Sequence, residues 1–304
     1  MAVHRWRGVF PAVTTQFHED LSLDLAATEK HLEALLESGV AGLIMCGSLG
    51  ENQQLDPDEK RRVVEHAVKV ANGRVPVLSG VAEMSTAAAC RYVRDCEKLG
   101  AAGFMVMPAM VYKADSREVE NHFRRVAAAT GLPWMLYNNP VGYTIDVTPA
   151  QFAGLADIPN LIAIKESSAN TRRITELRIE VGDRFALFVG VDDLVLESAV
   201  LGLDGWVAGS GIAFPRENQH FWELTQAGRW DEARELYRWF YPLLKLDSQI
   251  KFVQNIKLAV QEVGLGREWV REPRLMLAGA EREQVLRIIR QGLETRPKLH
   301  DPNK

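Results

Sequence analysis

Cysteine is scarce in this chain. Its 304 residues hold three, Cys46, Cys90 and Cys96, and none is in CxxC spacing. Three thiols cannot all pair, so a disulfide framework is excluded and reduced thiols of a cytoplasmic protein are expected. Long apolar runs are missing as well. None approaches the ~18 residues that a membrane span needs. The N-terminal MAVHRWRGVFPAV has two arginines but no long apolar stretch, so it does not read as a signal peptide. A surplus of positive charge is absent too. The net charge is −4, which gives no bulk electrostatic reason to bind nucleic acid or an anionic membrane. Hydrophobic residues make up 47% and charged residues 25%, which excludes a disordered, collagen-like or coiled-coil chain.

Several motifs are also missing. No GxGxxG follows the first apolar run and no GxxxxGK[ST] occurs, so nucleotide cofactors have no support. There is no HExxH, and the seven histidines lack metal-ligand spacing, so no metal is expected. His18, His31, His66, His122 and His220 read as helix or loop-surface residues. No GxSxG nucleophile elbow is present. The arginines between Arg267 and Arg296 are interleaved with Glu268, Glu272, Glu281, Glu283 and Glu294, a solvated face rather than a basic patch.

What remains is a regular alternation. Eight short apolar runs begin at residues 8, 41, 75, 102, 133, 161, 185 and 205. They lack period-2 alternation, as strands buried on both faces do. They are spaced roughly 20 to 34 residues apart, the length of a βα unit. Helix starts are marked by Asp56-Pro57-Asp58-Glu59 and Thr148-Pro149. Gly39, Gly73, Gly100 and Gly131 stand where helices should stop. Eight even βα units favour an α/β fold closed as a (β/α)8 TIM barrel over an open doubly wound sheet. The expected organisation is a catalytic barrel over 1–215 and a C-terminal helical extension over 216–304, with a frayed tail from Pro297. The late helices carry Trp222, Trp230, Trp239, Phe240, Tyr241, Phe252 and Trp269. These aromatics suit either a subunit interface or a cap on the barrel.

Barrel chemistry sits where strands end and βα loops begin. The second run ends in Cys46-Gly47-Ser48-Leu49-Gly50-Glu51, the fifth in Tyr137-Asn138-Asn139-Pro140, the sixth in Lys165-Glu166-Ser167-Ser168 and the seventh in Gly190-Val191-Asp192-Asp193. Lys165 follows a buried run. Its amine either points into the barrel mouth, where desolvation would free it for imine formation, or reaches solvent. Tyr137 precedes it by 28 residues, one βα repeat, and so ends the neighbouring strand. It is either a proton relay or an aromatic filling the barrel top. Gly47-Ser48-Leu49-Gly50 is either an anion nest or an ordinary turn. A nest, a lysine and a tyrosine in one pocket suit a carboxylate beside a carbonyl, a 2-oxo acid.

These three motifs, in this order and spacing, resemble those of the dihydrodipicolinate synthase / N-acetylneuraminate lyase family of class I aldolase-type enzymes, and the likeness covers nearly the whole chain. The resemblance implies a lyase in which Lys165 forms a Schiff base with the substrate C2 carbonyl, with no cofactor beyond that imine. It implies that Tyr137 relays protons, that Ser48 hydrogen-bonds Tyr137, and that the Ser48 and Leu49 amides hold the carboxylate. Gly47, Gly190 and Val207 would line the pyruvyl pocket. A homotetramer built as a dimer of dimers is also implied. Three positions depart from the synthase. Leu49 replaces a second hydroxyl, Gly142 stands where an arginine grips the second substrate, and Met110, with Tyr112 two residues on, replaces a tyrosine lent by the neighbouring subunit. A Gly-Ser-apolar-Gly first motif resembles that of deaminases of hydroxyproline-derived pyrroline carboxylates, the leading expectation. A keto-deoxy sugar acid aldolase or dehydratase, a true synthase, and a non-catalytic 2-oxo-acid-binding protein are the alternatives. Asn139, Tyr143, Ser168, Asp192 and Ser210 are candidates for the distal pocket.

Overall fold

The computed structural model describes residues 6–109 and 111–299. Met110 and the end of the tail, 300–304, lie outside the described residues. All eight apolar runs form strands: β1 Gly8–Val9, β2 Leu43–Met45, β3 Val77–Val81, β4 Gly103–Val106, β5 Trp134–Asn138, β6 Leu161–Glu166, β7 Ala186–Val189 and β8 Gly205–Trp206. They pair in parallel in the order β1-β8-β7-β6-β5-β4-β3-β2. The two ends of that order meet. Ala12 bridges Ile44, and the Val13 amide donates to the Ile44 carbonyl at 2.9 Å. The sheet therefore closes into a (β/α)8 barrel. Its strands are buried because helices cover one face and barrel side chains fill the other.

The helices are α1 Leu25–Glu37, α2 Pro57–Ala71, α3 Thr86–Lys98, α4 Ser116–Ala127, α5 Pro140–Tyr143, α6 Pro149–Gly154, α7 Arg172–Val181, α8 Val195–Val200, α9 Pro215–Gln226, α10 Trp230–Leu244, α11 Phe252–Glu262 and α12 Gly279–Glu294. Helix α2 opens with a capping box of Asp56 and Glu59, and α6 with one of Thr148 and Gln151. Gly39, Gly73 and Gly100 take the left-handed conformation that ends a helix. Gly131 does not. No described helix is long and apolar enough to cross a membrane.

The late aromatics pack within the chain. Phe240 is fully buried, and Phe214 meets both Trp239 and Phe240 at ring separations near 6 Å. Phe221 lies between Trp206 of β8 and Tyr237 of α10. These contacts join the extension to itself and, through Phe221 and Trp206, to the barrel, while Trp230, Trp239, Phe252 and Trp269 stay partly exposed and Tyr241 is exposed.

Two histidines depart from the surface reading. His31 of α1 is fully buried, with Nε2 donating to the Ile212 carbonyl at 2.9 Å. His122 of α4 is buried between Thr86 and the Met107 carbonyl. Periodicity did not separate them from the polar faces of their helices, because each is satisfied by a distant carbonyl. Burial lowers the His31 pKa from 6.5 to about 4. Below pH 6.5 the unfolded chain binds a proton that the folded chain refuses, so stability should fall from pH 6.5 down to about 4. The loss over that window is about 3 kcal/mol. Chemical denaturation of wild type and His31→Gln at pH 7 and pH 4.5 checks this. The variant should show the smaller pH dependence, and an equal dependence would assign the acid loss elsewhere.

Candidate active site

Strand pairing aligns Tyr137 of β5 directly with Lys165 of β6, and Lys165 in turn with Phe188 of β7. Parallel partners in register project from the same face. The Lys165 Nζ accordingly lies 3.9 Å from the centre of the Tyr137 ring, and each residue is only 6% exposed. Among the described residues nothing accepts a hydrogen bond from this amine. Burial lowers its pKa below 10.5, opposed by Tyr143, Asp247 and Asp192. A desolvated amine without an acceptor is available as a nucleophile.

Gly190, at the end of β7, makes room for that side chain. A Cβ built there would stand 2.3 Å from Lys165 Cε and 2.3 Å from Ser167 Oγ. Gly190→Ala should therefore displace Lys165 and cut imine capture of pyruvate at least about tenfold, roughly 1.4 kcal/mol or more. Borohydride trapping read by mass reports the outcome. Capture at the wild-type rate would mean that the lysine can rearrange freely. Val207 follows β8, and its amide donates to the Val189 carbonyl at 2.9 Å, which places it beside Gly190.

The first motif forms a tight turn after β2, bracketed by left-handed Cys46 and Glu51. Among the described residues the amides of Gly47, Ser48, Leu49 and Gly50 donate to no protein acceptor. Unpaired successive amides are what an anion nest offers. The Leu49 side chain is buried, so this residue presents only its backbone to the turn. Glu51 faces away from it. Its carboxylate accepts from Lys257 Nζ at 2.8 Å and from the Arg271 amide at 3.0 Å, all beneath the turn.

Ser48 does not meet Tyr137. Its hydroxyl is hydrogen-bonded to Tyr143. The reason is α5. Pro140 starts it, and Asn139 caps it by accepting from the Gly142 amide at 2.8 Å. One helical turn then folds Tyr143 back toward the lysine. The rings of Tyr137 and Tyr143 stand edge to face, 5.6 Å apart at 89°. The Tyr137 hydroxyl accepts from Asn139 Nδ2 at 3.0 Å. Burial pushes the Tyr137 phenol up to about 12 and raises Tyr143 further, so both are protonated at neutral pH.

The other distal candidates divide. Asn139 and Tyr143 join the site. The buried carboxylate of Asp192 is taken up by Trp206 Nε1 at 2.9 Å and by the amides of Gly209 and Ser210. The Ser210 hydroxyl donates to the Leu244 carbonyl. Ser168 lines a separate small cavity with Ile174, Leu194 and Ser198. Two groups escaped the sequence reading. Ser167 Oγ is buried and unpartnered beside Lys165. Asp247 lies between α10 and α11, and a Cβ on Gly209 would meet its Oδ1 at 2.2 Å. Ser167 was legible from its place after Lys165. Asp247 had no such signal, because no strand end or helical period points to it. Among the described residues no cluster of His, Cys, Asp and Glu could hold a metal ion.

The Dihydrodipicolinate synthetase family model matches residues 5–292. A 4-hydroxy-tetrahydrodipicolinate synthase of Desulforamulus reducens is 31% identical over 282 residues, spanning 92% of this chain and 95% of that protein. A dihydrodipicolinate synthase structure from Bacillus anthracis superposes with a TM-score of 0.91 at 26% identity, over 97% of this chain and 100% of its own. Another, from Acinetobacter baumannii and solved in complex with pyruvate, gives 0.90 at 25% identity, over 94% and 99%.

Proposed function

Because the chain belongs to the dihydrodipicolinate synthetase family of Schiff-base lyases, we propose that Lys165 captures a small 2-oxo acid or its cyclic imine equivalent. The leading substrate is a 4-hydroxylated pyrroline-2-carboxylate derived from hydroxyproline, and the outcome is its deamination. The observation that carries the reading is Tyr143. It supplies, from the same chain, a second phenol joined to Ser48, and it does so from the turn where Gly142 replaces a substrate-gripping arginine. The site thus keeps a means of moving protons, and position 142 provides no cation for the carboxylate of a second substrate.

The steps follow from the placement of the groups. The substrate carboxylate sits on the free amides of Ser48 and Leu49, with Gly47 allowing close approach. The Lys165 amine adds to C2. Tyr137 gives a proton to the group that leaves C2, which is water from a 2-oxo acid or the ring amine from the cyclic imine, backed by Tyr143 and Ser48. The resulting protonated imine draws electrons from C3, which permits deprotonation there and loss of the C4 hydroxyl as water; the unsaturated product then isomerises to an imine at C5, and hydrolysis of that imine releases the nitrogen as ammonia. Gly190 and Val207 form the wall beside the imine.

We also propose that the protein works as a homotetramer of tight dimers. Met84, Val111 and Tyr112 in loops and Val141 in α5 are exposed at the site's end of the barrel and offer an apolar surface for self-association.

A substrate panel tests the function. The 4-hydroxylated pyrroline-2-carboxylate should be turned over. Condensation of pyruvate with aspartate semialdehyde should stay far below the ~10 s⁻¹ typical of enzymes. Efficient condensation would show that Gly142 and Leu49 do not bar synthase activity.

A further inference from the structure

We propose that Asp247 is a catalytic acid of this site, whose carboxyl group protonates the C4 hydroxyl of the lysine-bound substrate so that it leaves as water. The proposal rests on the lyase reading above and deepens it. Asp247 comes from the seven-residue link, 245–251, between α10 and α11. That link crosses the barrel mouth after β8. Gly209 lacks a side chain where the carboxyl group lies, since any Cβ there would be 2.2 Å from Oδ1 and 2.6 Å from Cγ. The charged and titratable groups that face it are Lys165, Asp192, Asp193 and Tyr137.

The two nearby carboxyl groups have opposite surroundings. Asp192 receives three donors: an indole N–H and the Gly209 and Ser210 amides. Among the described residues nothing donates to the Asp247 carboxyl group. Two neighbouring carboxylates resist double ionisation, and the donors decide which one carries the charge. Asp192 is therefore the anion and Asp247 the neutral acid. Burial and the Asp192 charge both raise the Asp247 pKa well above 3.8, against the opposing pull of Lys165. Divergent environments of this kind separate acid from anion in carboxyl pairs. A neutral carboxylic acid facing the reactive lysine is a hydrogen-bond donor awaiting a substrate oxygen.

The step balances. Tyr137, having given its proton to the group lost from C2 on imine formation, takes the C3 proton and is restored. The C2–C3 enamine pair moves to form the C3–C4 double bond as the C4–O bond breaks. The departing oxygen takes the Asp247 proton and leaves as water. Asp247 is left ionised and regains a proton from solvent before the next turnover. No redox partner is needed.

The test uses Asp247→Asn and Asp247→Ala, with melting temperature as the control for folding and Asp247→Glu as the conservative variant. Three probes separate the possibilities: pyruvate, which has no C4; a 4-hydroxy substrate; and the 4-chloro analogue, whose chloride leaves without a proton. The Asn and Ala variants should capture pyruvate on Lys165 within about threefold of wild type. They should lose about a hundredfold or more on the 4-hydroxy substrate, the low end for a positioned acid, and retain the 4-chloro analogue. Partial recovery is expected for Asp247→Glu. Equal loss on the hydroxy and chloro substrates, loss of pyruvate capture in step with turnover, or unchanged turnover would each overturn the proposal. If the wild type itself captures no 2-oxo acid, the lyase reading falls first, and this role falls with it.

Discussion

Borohydride added to the protein with pyruvate should fix one reduced pyruvyl group per chain, on the peptide containing Lys165. Burial alone does not single out this lysine. Lys257 is also buried, with its pKa lowered to about 8. Its Nζ, however, donates to Glu51 and to the Thr15 carbonyl, so its lone pair has no path to a carbonyl carbon. Lys165 has neither tie and lies under the Gly190 opening. Lys165→Ala should abolish capture and reduce turnover beyond about a thousandfold, the scale on which losing a nucleophile is felt. Lys165→Arg should do the same, because a guanidinium stays protonated at any working pH. Modification of a different lysine, or activity in either variant, would remove the imine from this position.

Removing either phenol should be nearly as damaging. Tyr137→Phe and Tyr143→Phe each delete one oxygen and almost no volume, so melting temperatures should stay within a few degrees of wild type. Turnover should fall about a hundredfold or more in each case. Groups acting as one relay are non-additive. The double variant should thus be little worse than the worse single one. If Tyr143→Phe keeps full activity, the Ser48–Tyr143 contact is only structural. Multiplicative losses in the double variant would mean that the two phenols act in separate steps.

The barrel was legible because each strand had to be buried on both faces, which left eight uninterrupted apolar runs. Lys165 and Tyr137 were legible for a related reason. Each ends such a run, and one βα repeat between them put them on neighbouring strands. What could not be read were contacts made by turns. The partner of Ser48 depends on how a four-residue helix between Asn139 and Thr144 swings Tyr143, and no period in the sequence encodes that swing. Asp247 depends on the path of a short link pinned by the tertiary contacts of α10 and α11. His31 looked like any polar residue of an exposed helix until the Ile212 carbonyl, 181 residues away, supplied its partner.

The buried pair of Glu51 and Lys257 has a consequence for how the chain is made. The two residues are 206 positions apart, yet neither side chain is exposed to water. An uncompensated buried charge costs on the order of 3–5 kcal/mol. The turn that carries the free amides of residues 47–50 therefore cannot settle into its native burial until Lys257 arrives. During synthesis the N-terminal βα units leave the ribosome long before α11 does, at about 5–20 residues per second. For roughly ten seconds or more at that pace, the nascent barrel holds a glutamate with no counter-charge, and its first turn stays open. A segment that emerges early is thus among the last to reach its final form, and a chain released before α11 would have strands but no finished turn after β2.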